Sequence, residues 1–206
     1  MDASPIADIL RQAVPAASIE PIASVDMPTV VVDREHLVEL CTTLRDHAGL
    51  QFAFLADVTA VDLWPAEPRF ELIYNMACVG EAFLTAGATS PAPARRLRVK
   101  VRVTGAEARV PTVSSVWPTA GWPEREVFDL MGIVFEDHPD LRRVLMPDDW
   151  EGHPLRKDYA VQIRKEATAW APLQMTPEEF ARNVRQGHER ADRDAHPQGP
   201  KAGPRD

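Results

Sequence analysis

The segment 96–104, RLRVKVRVT, alternates apolar and basic side chains without a break. Successive side chains of a strand point to opposite faces, so one face of this segment is aliphatic and the other is cationic. The aliphatic residues are Leu97, Val99, Val101 and Val103, and the cationic residues are Arg96, Arg98, Lys100 and Arg102. The pattern predicts a half-buried strand whose basic face is either solvated or turned towards an acidic partner.

Three segments that precede this strand also have the character of strands. Residues 29–32 are TVVV, and residues 51–63 and 70–79 are rich in apolar and β-branched side chains. Residues 80–94 are small, contain proline and lack periodicity, which predicts a long loop or insertion.

Two amphipathic helices are expected in the N-terminal part, one before and one after the strand at 29–32. The first covers residues 5–14 with Ser4 as its cap, and the second covers residues 34–47 with Asp33 as its cap and Gly49 after its end. The order of elements predicts an α+β fold. In this fold the N-terminal helices pack on a mainly antiparallel sheet, followed by short helices and an extended C-terminal arm.

The expected domain organisation has four parts. Residues 1–121 form an α+β core, and residues 122–160 complete it with a short helix and a pinned loop. Residues 161–186 form a partner-docking arm with a helix over 176–186, which Thr176 caps and which docks by Phe180 and Val184. Residues 187–206 form a polar tail that is expected to be disordered when free.

Composition narrows the function classes. The net charge of -8 argues against non-specific binding to nucleic acid or anionic lipid, and no apolar run reaches the roughly 20 residues of a membrane helix. The only cysteines, Cys41 and Cys78, are too few and too far apart for a zinc or iron–sulfur motif. They are expected to be buried thiols in a reducing cytosol.

Chemistry-bearing side chains are densest in residues 122–159, WPEREVFDLMGIVFEDHPDLRRVLMPDDWEGHPLRKDY. A short helix is expected from Pro123 to a left-handed Gly132, with Arg125 and Asp129 paired four positions apart. A further short helix is expected around 113–117, capped by Thr112 or Ser114 and broken by Pro118 and Gly121.

Catalytic interpretations of this segment are weak. His138 and His153 lie fifteen positions apart and each precedes a proline, which does not fit the spacing of zinc or carboxylate metal sites. The segment holds no serine or cysteine, and its acids are interleaved with arginines that can pair with them. The arginine forks, the proline-restricted histidines, Trp150 and Tyr159 indicate an interface, or a loop pinned entirely by internal pairs.

These residues resemble a known family. The run Glu124, Arg125, Glu126, Asp129, Leu130, Met131, His138, Arg142, Val144 and Leu145 fills, without a gap, the signature pattern of the C subunit of NADH-quinone oxidoreductase. This is the 30 kDa subunit family of respiratory complex I. Residues 152–159 and 111–117 resemble two further blocks of that family, and Met131 departs from it by standing where an aromatic is common. The resemblance assigns the following residues to the family signature and interface: Glu124, Arg125, Glu126, Asp129, Gly132, His138, Pro139, Arg142, Arg143, Gly152, His153, Pro154, Arg156, Lys157, Asp158 and Tyr159.

The resemblance implies a peripheral-arm subunit of a proton-pumping NADH:quinone oxidoreductase. Such a subunit has no catalytic residue, metal or cofactor of its own, because other subunits of the complex carry the FMN and iron–sulfur clusters and bind NADH and quinone. It packs chiefly on the large D subunit, with the B subunit or other peripheral-arm subunits nearby, at the cytoplasmic side of the bacterial membrane. The alternatives are an equivalent subunit of a membrane-bound hydrogenase or photosynthetic NDH-type complex, and a free-standing metal-dependent hydrolase.

Overall fold

The computed structural model describes residues 3–78 and 95–160, together with 176, 178, 179 and 182. The chain divides into two compact units, Met1–Tyr159 and Ala160–Asp206. The predicted loop at 80–94, most of the arm at 161–186 with Phe180 and Val184, and the tail at 187–206 lie outside the described residues.

The first unit has an α+β fold, as predicted. Its α-helices, within the described residues, are α1 (Ser4–Ala13), α2 (Leu37–Asp46) and α3 (Gly121–Met131). Its strands there are β1 (Ile19–Ile22), β2 (Thr29–Val32), β3 (Phe54–Asp62), β4 (Phe70–Cys78), β5 (Arg95–Val103), β6 (Arg109–Pro111) and β7 (Val134–Glu136).

A five-stranded sheet in the order β1-β2-β5-β4-β3 organises the first unit. The pairs β1–β2, β4–β5 and β3–β4 are antiparallel, and β2–β5 is parallel, so the sheet is mainly antiparallel as expected. The short strands β6 and β7 pair in parallel in a separate two-stranded sheet, which places the segment before α3 beside the segment after it.

The core lies on the aliphatic face of β5, where Leu97, Val99, Val101 and Val103 are all buried. Apolar side chains of α1 and α2 join the same cluster, including Leu10, Leu40 and Leu44. Burying each of these side chains stabilises the fold by roughly 1.5–3 kcal/mol. The alternation that predicted this strand is therefore confirmed.

The basic face of β5 is largely paired within the chain. Arg98 pairs with Asp26 at 2.7 Å, and Lys100 and Arg102 both pair with Glu71, at 2.6 and 3.2 Å. Arg96 is exposed and forms no ion pair with any described residue. Three of the four cations of this face are therefore paired within the chain.

Several predicted helix boundaries were wrong. The first helix includes Ser4, so Ala3 is its cap, and the second begins at Leu37 and ends at Asp46, before Gly49. Asp33 does not cap the second helix because its carboxylate binds the Ser18 N–H and the His36 ring, which ties the start of β1 to the residues before α2.

No helix forms at 113–117, where residues 114–116 make a turn. Pro118 then begins a short 3₁₀ turn, Pro118–Ala120, that runs directly into α3. Pro118 and Gly121 therefore start the helix rather than break one, because proline is compatible with a first turn and Gly121 has an ordinary helical φ of -54°.

In the second unit, the described residues include a helix start. Glu178, Glu179 and Arg182 are helical. The Thr176 N–H donates to the Glu179 carboxylate at 3.0 Å, and the Glu179 N–H donates to Thr176 Oγ1 at 3.2 Å. This reciprocal capping box confirms the predicted Thr176 cap.

Candidate functional site

The C-terminus of α3 is where several of the predicted site residues meet. Gly132 ends the helix in the left-handed region, with φ of 70°, as its position predicted. A Cβ at this position would come within 2.4 Å of the His153 ring and 2.5 Å of the Arg156 guanidinium. Glycine is therefore required both for the backbone turn and for the close approach of the following loop.

The loop at 152–156 satisfies the carbonyl groups that a helix end leaves unpaired. The His153 Nδ1–H donates to the Asp129 carbonyl at 2.9 Å, and the Leu155 N–H donates to the Leu130 carbonyl at 2.9 Å. Arg156 donates to the carbonyls of Met131 and Gly132, at 2.6 and 3.2 Å. The Arg156 cation also opposes the partial negative charge at this end of the helix dipole.

Asp129 fixes a second loop against the same helix end. Its buried carboxylate accepts hydrogen bonds from the Arg143 guanidinium at 2.7 Å and from consecutive backbone N–H groups. These belong to Val144, Leu145 and Met146, at 3.0, 2.7 and 2.8 Å. Burial by itself raises the pKa of Asp129, but these donors outweigh it and lower the pKa to about 2.

The predicted pair between Arg125 and Asp129 was wrong. Arg125 donates instead to the carbonyls of Arg142 and Arg143, at 3.1 and 3.3 Å, and its guanidinium lies 4.8 Å from the centre of the Trp122 ring. The buried Asp129 carboxylate forms its ion pair with Arg143, a residue of the loop that packs against the end of the helix.

Arg143 joins the two loops. In addition to Asp129, its guanidinium donates to the carbonyls of Trp150 and Gly152, at 3.0 and 3.1 Å. We call residues 142–146 and 150–158, which enclose the end of α3 in this way, the α3 clamp.

The end of the clamp is attached to the β3–β4 hairpin. Arg69 lies between Asp62 and Asp158, at 2.9 and 2.6 Å, and the Lys157 N–H donates to Asp62 at 2.9 Å. The hydrogen bond from Arg69 holds the pKa of Asp62 well below its usual range. Asp158 therefore forms an ion pair within the chain, and Arg156 acts on backbone carbonyls.

Glu124 and His138 lie at the other end of α3. Glu124 is fully buried, accepts from the Val113 N–H at 2.9 Å, and lies 2.5 Å from Thr112 Oγ1. His138 accepts from the Asp140 N–H through Nδ1 at 3.0 Å and meets the Gly121 carbonyl through Nε2 at 3.1 Å. These residues hold the start of α3 against the end of β6.

The remaining predicted residues contribute less. Glu126 and Pro139 are exposed, and Pro154 is half-buried. Arg142 is exposed and forms a surface pair with Asp140 at 2.5 Å. Tyr159 packs against Gly152, whose φ of 80° is again a left-handed glycine conformation. Sequence reasoning missed Asp62 and Arg69, because no local spacing rule connects residues that far from the segment. It considered Thr112 only as a helix cap.

Within residues 3–78 and 95–160, no group of three or more His, Cys, Asp or Glu side chains is placed to hold a metal ion. A cleft of about 450 Å³ lies beside the end of β6, lined by Val38, Pro111, Thr112, Ser114, Ser115, Glu136, Asp137 and Pro139.

Among the residues that the structure describes, none of the helices has the length and apolar character required to span a bilayer.

The fold and the site together define an α+β protein built around a short helix with a charged clamp. Residues 30–165 match the family described as the respiratory-chain NADH dehydrogenase, 30 Kd subunit. The match covers most of the chain, and the chain therefore belongs to that family.

Relatives and a solved structure agree with this assignment. The NADH-quinone oxidoreductase C subunit of Geotalea uraniireducens is 47% identical over 134 residues, which are 65% of this chain and 73% of the relative. The protein of the same name from Geobacter metallireducens is 50% identical over 135 residues, 65% of this chain and 75% of the relative. A chain from the membrane-bound sulfane sulfur reductase, an archaeal respiratory membrane complex, is 25% identical with a TM-score of 0.59, covering 77% of this chain and 85% of that one.

Proposed function

We propose that this chain is a structural subunit in the peripheral arm of a proton-pumping NADH:quinone oxidoreductase. It contributes no catalytic residue or cofactor and holds in place the subunits that frame the quinone site. Its main partner is the large D subunit, with the B subunit or other peripheral-arm subunits nearby. NADH, FMN, the iron–sulfur clusters and quinone bind to other subunits, at the cytoplasmic side of the membrane.

The observation that carries this proposal is the internal use of the clamp's charged groups. Asp129, Arg143, His153, Arg156 and Asp158 all bind partners within the chain. Groups committed in this way are positioned to hold a shape rather than to react with a substrate. Shape is what an assembly subunit must supply to its neighbours.

The same clamp presents apolar side chains to the outside. Leu145 is 60% exposed and Leu155 is 54% exposed, although the backbone N–H of each is fixed at the end of α3. At the other end of the helix, Trp122 is 66% exposed. Apolar groups on an ordered backbone lose little conformational entropy on binding, so they suit the centre of an interface.

A charge placed on this surface tests the proposal. We expect Leu155→Asp to reduce the amount of assembled oxidoreductase in native membranes at least about tenfold, the effect of losing one strong interface contact. The matched control is Val25→Asp, because Val25 is 99% exposed and lies in the loop before β2, outside the clamp. Both variants should fold with the thermal stability of the unmodified chain. Equal assembly of the two variants would contradict the proposed role of the clamp surface.

A second candidate function differs in the electron donor. The likeness to a chain of the sulfane sulfur reductase, an archaeal respiratory membrane complex, supports membership in a related respiratory complex. Membrane-bound hydrogenase and NDH-type complexes are further candidates of this kind. Native membranes from a strain lacking the chain distinguish them, because loss of NADH-dependent quinone reduction supports the first candidate and loss of another donor's activity supports the second.

A further inference from the structure

Two carboxyl groups of α3 are fully buried in different surroundings. Asp129 is held by the Arg143 cation and by the backbone N–H groups that follow it. Glu124 has the Val113 N–H and the Thr112 hydroxyl, and no lysine or arginine in the described part of the chain forms an ion pair with it. A buried carboxylate with few donors and no counter-charge is strongly disfavoured relative to the neutral acid.

Helix α2 and strand β4 each present an uncharged ionisable side chain to Glu124. Cys41 of α2 and Tyr74 of β4 are fully buried, and burial first, then the neighbouring Glu124 carboxyl, raises the pKa of both. The Tyr74 hydroxyl has no hydrogen-bond partner among the described residues. The surroundings therefore offer no charge that would stabilise an ionised Glu124.

His138 is the nearest group that could carry a positive charge, with Nε2 3.8 Å from Glu124 Oε2. Its hydrogen bonds assign it a neutral form. Nδ1 accepts a hydrogen bond from the Asp140 N–H, so the ring proton is on Nε2, where it faces the Gly121 carbonyl. A neutral imidazole gives Glu124 no counter-ion.

A chain of hydroxyl groups leads from Glu124 to the surface. Thr112 Oγ1 is 2.5 Å from Glu124 Oε2 and 2.8 Å from Ser114 Oγ. The Ser114 N–H also donates to Thr112 Oγ1 at 3.1 Å, which fixes the positions of the two hydroxyls. Thr112, Ser114 and Ser115 line the open cleft of about 450 Å³. The hydroxyl groups of Thr112 and Ser114 thus connect the buried carboxyl to the cleft.

We propose that Glu124 is an internal proton-binding site that exchanges its proton with solvent through the Thr112 and Ser114 hydroxyls. On release, Glu124 Oε2 gives its proton to Thr112 Oγ1, Thr112 passes its own proton to Ser114 Oγ, and Ser114 passes one to water in the cleft. Each hydroxyl gains one proton and loses one, so the only net change is a Glu124 carboxylate and a protonated water. This proposal concerns a group inside the subunit and does not rest on the assembly role.

The site titrates in the physiological range. Burial raises the pKa of Glu124 to about 7, against the hydrogen bonds from Thr112 and Val113, which lower it. The neutral acid can donate to Thr112, and the carboxylate can only accept from it. A change of protonation state therefore reverses the hydrogen bond between α3 and the end of β6.

Carbon-13 NMR of the full chain with labelled glutamate carboxyls tests the first half of the proposal. We expect one glutamate carboxyl to titrate with a midpoint near pH 7 and to be missing from the spectrum of Glu124→Gln. Gln is close to the neutral acid in shape and can still accept from Val113 and donate to Thr112, so the variant should fold. If every glutamate carboxyl in the unmodified chain titrates below about pH 5.5, in the range of ordinary carboxyls, the proposal is wrong.

Two variants test the path of the proton. Thr112→Val removes a hydrogen bond that stabilises the carboxylate, so the midpoint should move to higher pH, and an unchanged or lower midpoint would overturn the role of Thr112. Ser114→Ala leaves the carboxyl's own contacts in place but interrupts the chain of hydroxyls. We expect the same midpoint with slower proton exchange, observed as broadening of the Glu124 resonance near the midpoint. Unchanged line shape would overturn the proposed exchange path.

Discussion

Arg142 and Arg143 are adjacent in sequence and have different roles. The Arg142 side chain is 73% exposed and pairs with Asp140 at the surface, whereas the Arg143 side chain is 16% exposed and joins Asp129 to the carbonyls of residues 150 and 152. Surface pairs contribute little because water screens them, and removing one partner of a buried pair leaves a charge without compensation. The two arginines therefore differ in their effect on stability.

Substitution of each arginine by alanine measures that difference. We expect Arg143→Ala to lower the free energy of unfolding by about 3–5 kcal/mol, because Asp129 would remain buried with its cation gone. Arg142→Ala should cost less than about 1 kcal/mol. Urea denaturation of the full chain followed by circular dichroism gives both values. Similar losses for the two variants would show that the clamp does not depend on Arg143.

The buried Glu124 carboxyl makes the stability of the fold depend on pH. Its pKa in the folded chain is about 7, above the usual value of 4.5, so folding favours the protonated form. Compared with a chain that has a permanently neutral side chain at this position, the free energy of unfolding is unchanged below about pH 4.5. It falls as the pH rises from there to about 7. We expect the unmodified chain to lose about 3 kcal/mol relative to Glu124→Gln across this interval. Parallel denaturation midpoints for the two proteins from pH 5 to pH 8 would contradict this.

For single residues, the sequence predicts the members of the site more reliably than it predicts the contacts they make. Asp129, His153 and Gly132 were expected from the segment itself, and all three lie at the end of α3. The partner of Asp129 was misassigned because the i,i+4 rule considers only one helix. Arg143 prevails because its loop can also supply consecutive N–H groups to the same carboxylate.

Helix α3 begins and ends at a glycine, and the two positions have different conformational requirements. Gly121 starts the helix with an ordinary φ of -54°, and the nearest atom to an added Cβ is 3.9 Å away, on His138. Gly132 ends the helix at a φ of 70°, where an added Cβ would overlap His153 and Arg156. The same substitution therefore has opposite expected signs at the two ends.

Gly132→Ala should destabilise the chain by at least about 1–2 kcal/mol, the cost of a left-handed conformation for alanine, and more once the overlap is included. Gly121→Ala should stabilise it by about 0.5–1 kcal/mol, because alanine loses less backbone entropy in a helix. Thermal denaturation of both variants gives the comparison. A Gly132→Ala variant as stable as the unmodified chain would mean that the clamp does not close over this glycine.

Elements differ in how well the sequence predicts them. The strands β2, β4 and β5 were predicted within one residue, because alternation and β-branched composition report burial on one face directly. The pair β6–β7 was missed because each strand has three residues, too few for a period to show. The predicted start of α3 lies two residues too late, because a 3₁₀ turn that begins at Pro118 leads directly into the helix.

In the molecule as a whole, contacts between distant segments hold the clamp to the sheet. Arg69 of the β3–β4 hairpin reaches Asp158, and Asp62 receives the Lys157 N–H, across about ninety residues of chain. Such contacts follow no local sequence pattern, so they could not be predicted from the sequence. They attach the end of the first unit to the edge of its sheet and leave Leu145 and Leu155 exposed on an ordered surface.

The most direct test of the proposed role is purification of the tagged full chain from detergent-solubilised native membranes, with an assay of quinone reduction in the eluate. We expect the chain to elute in a multi-subunit complex that contains the D and B subunits and reduces quinone with NADH. Recovery of the chain alone, or in a complex that accepts electrons only from another donor, would contradict its assignment to an NADH:quinone oxidoreductase.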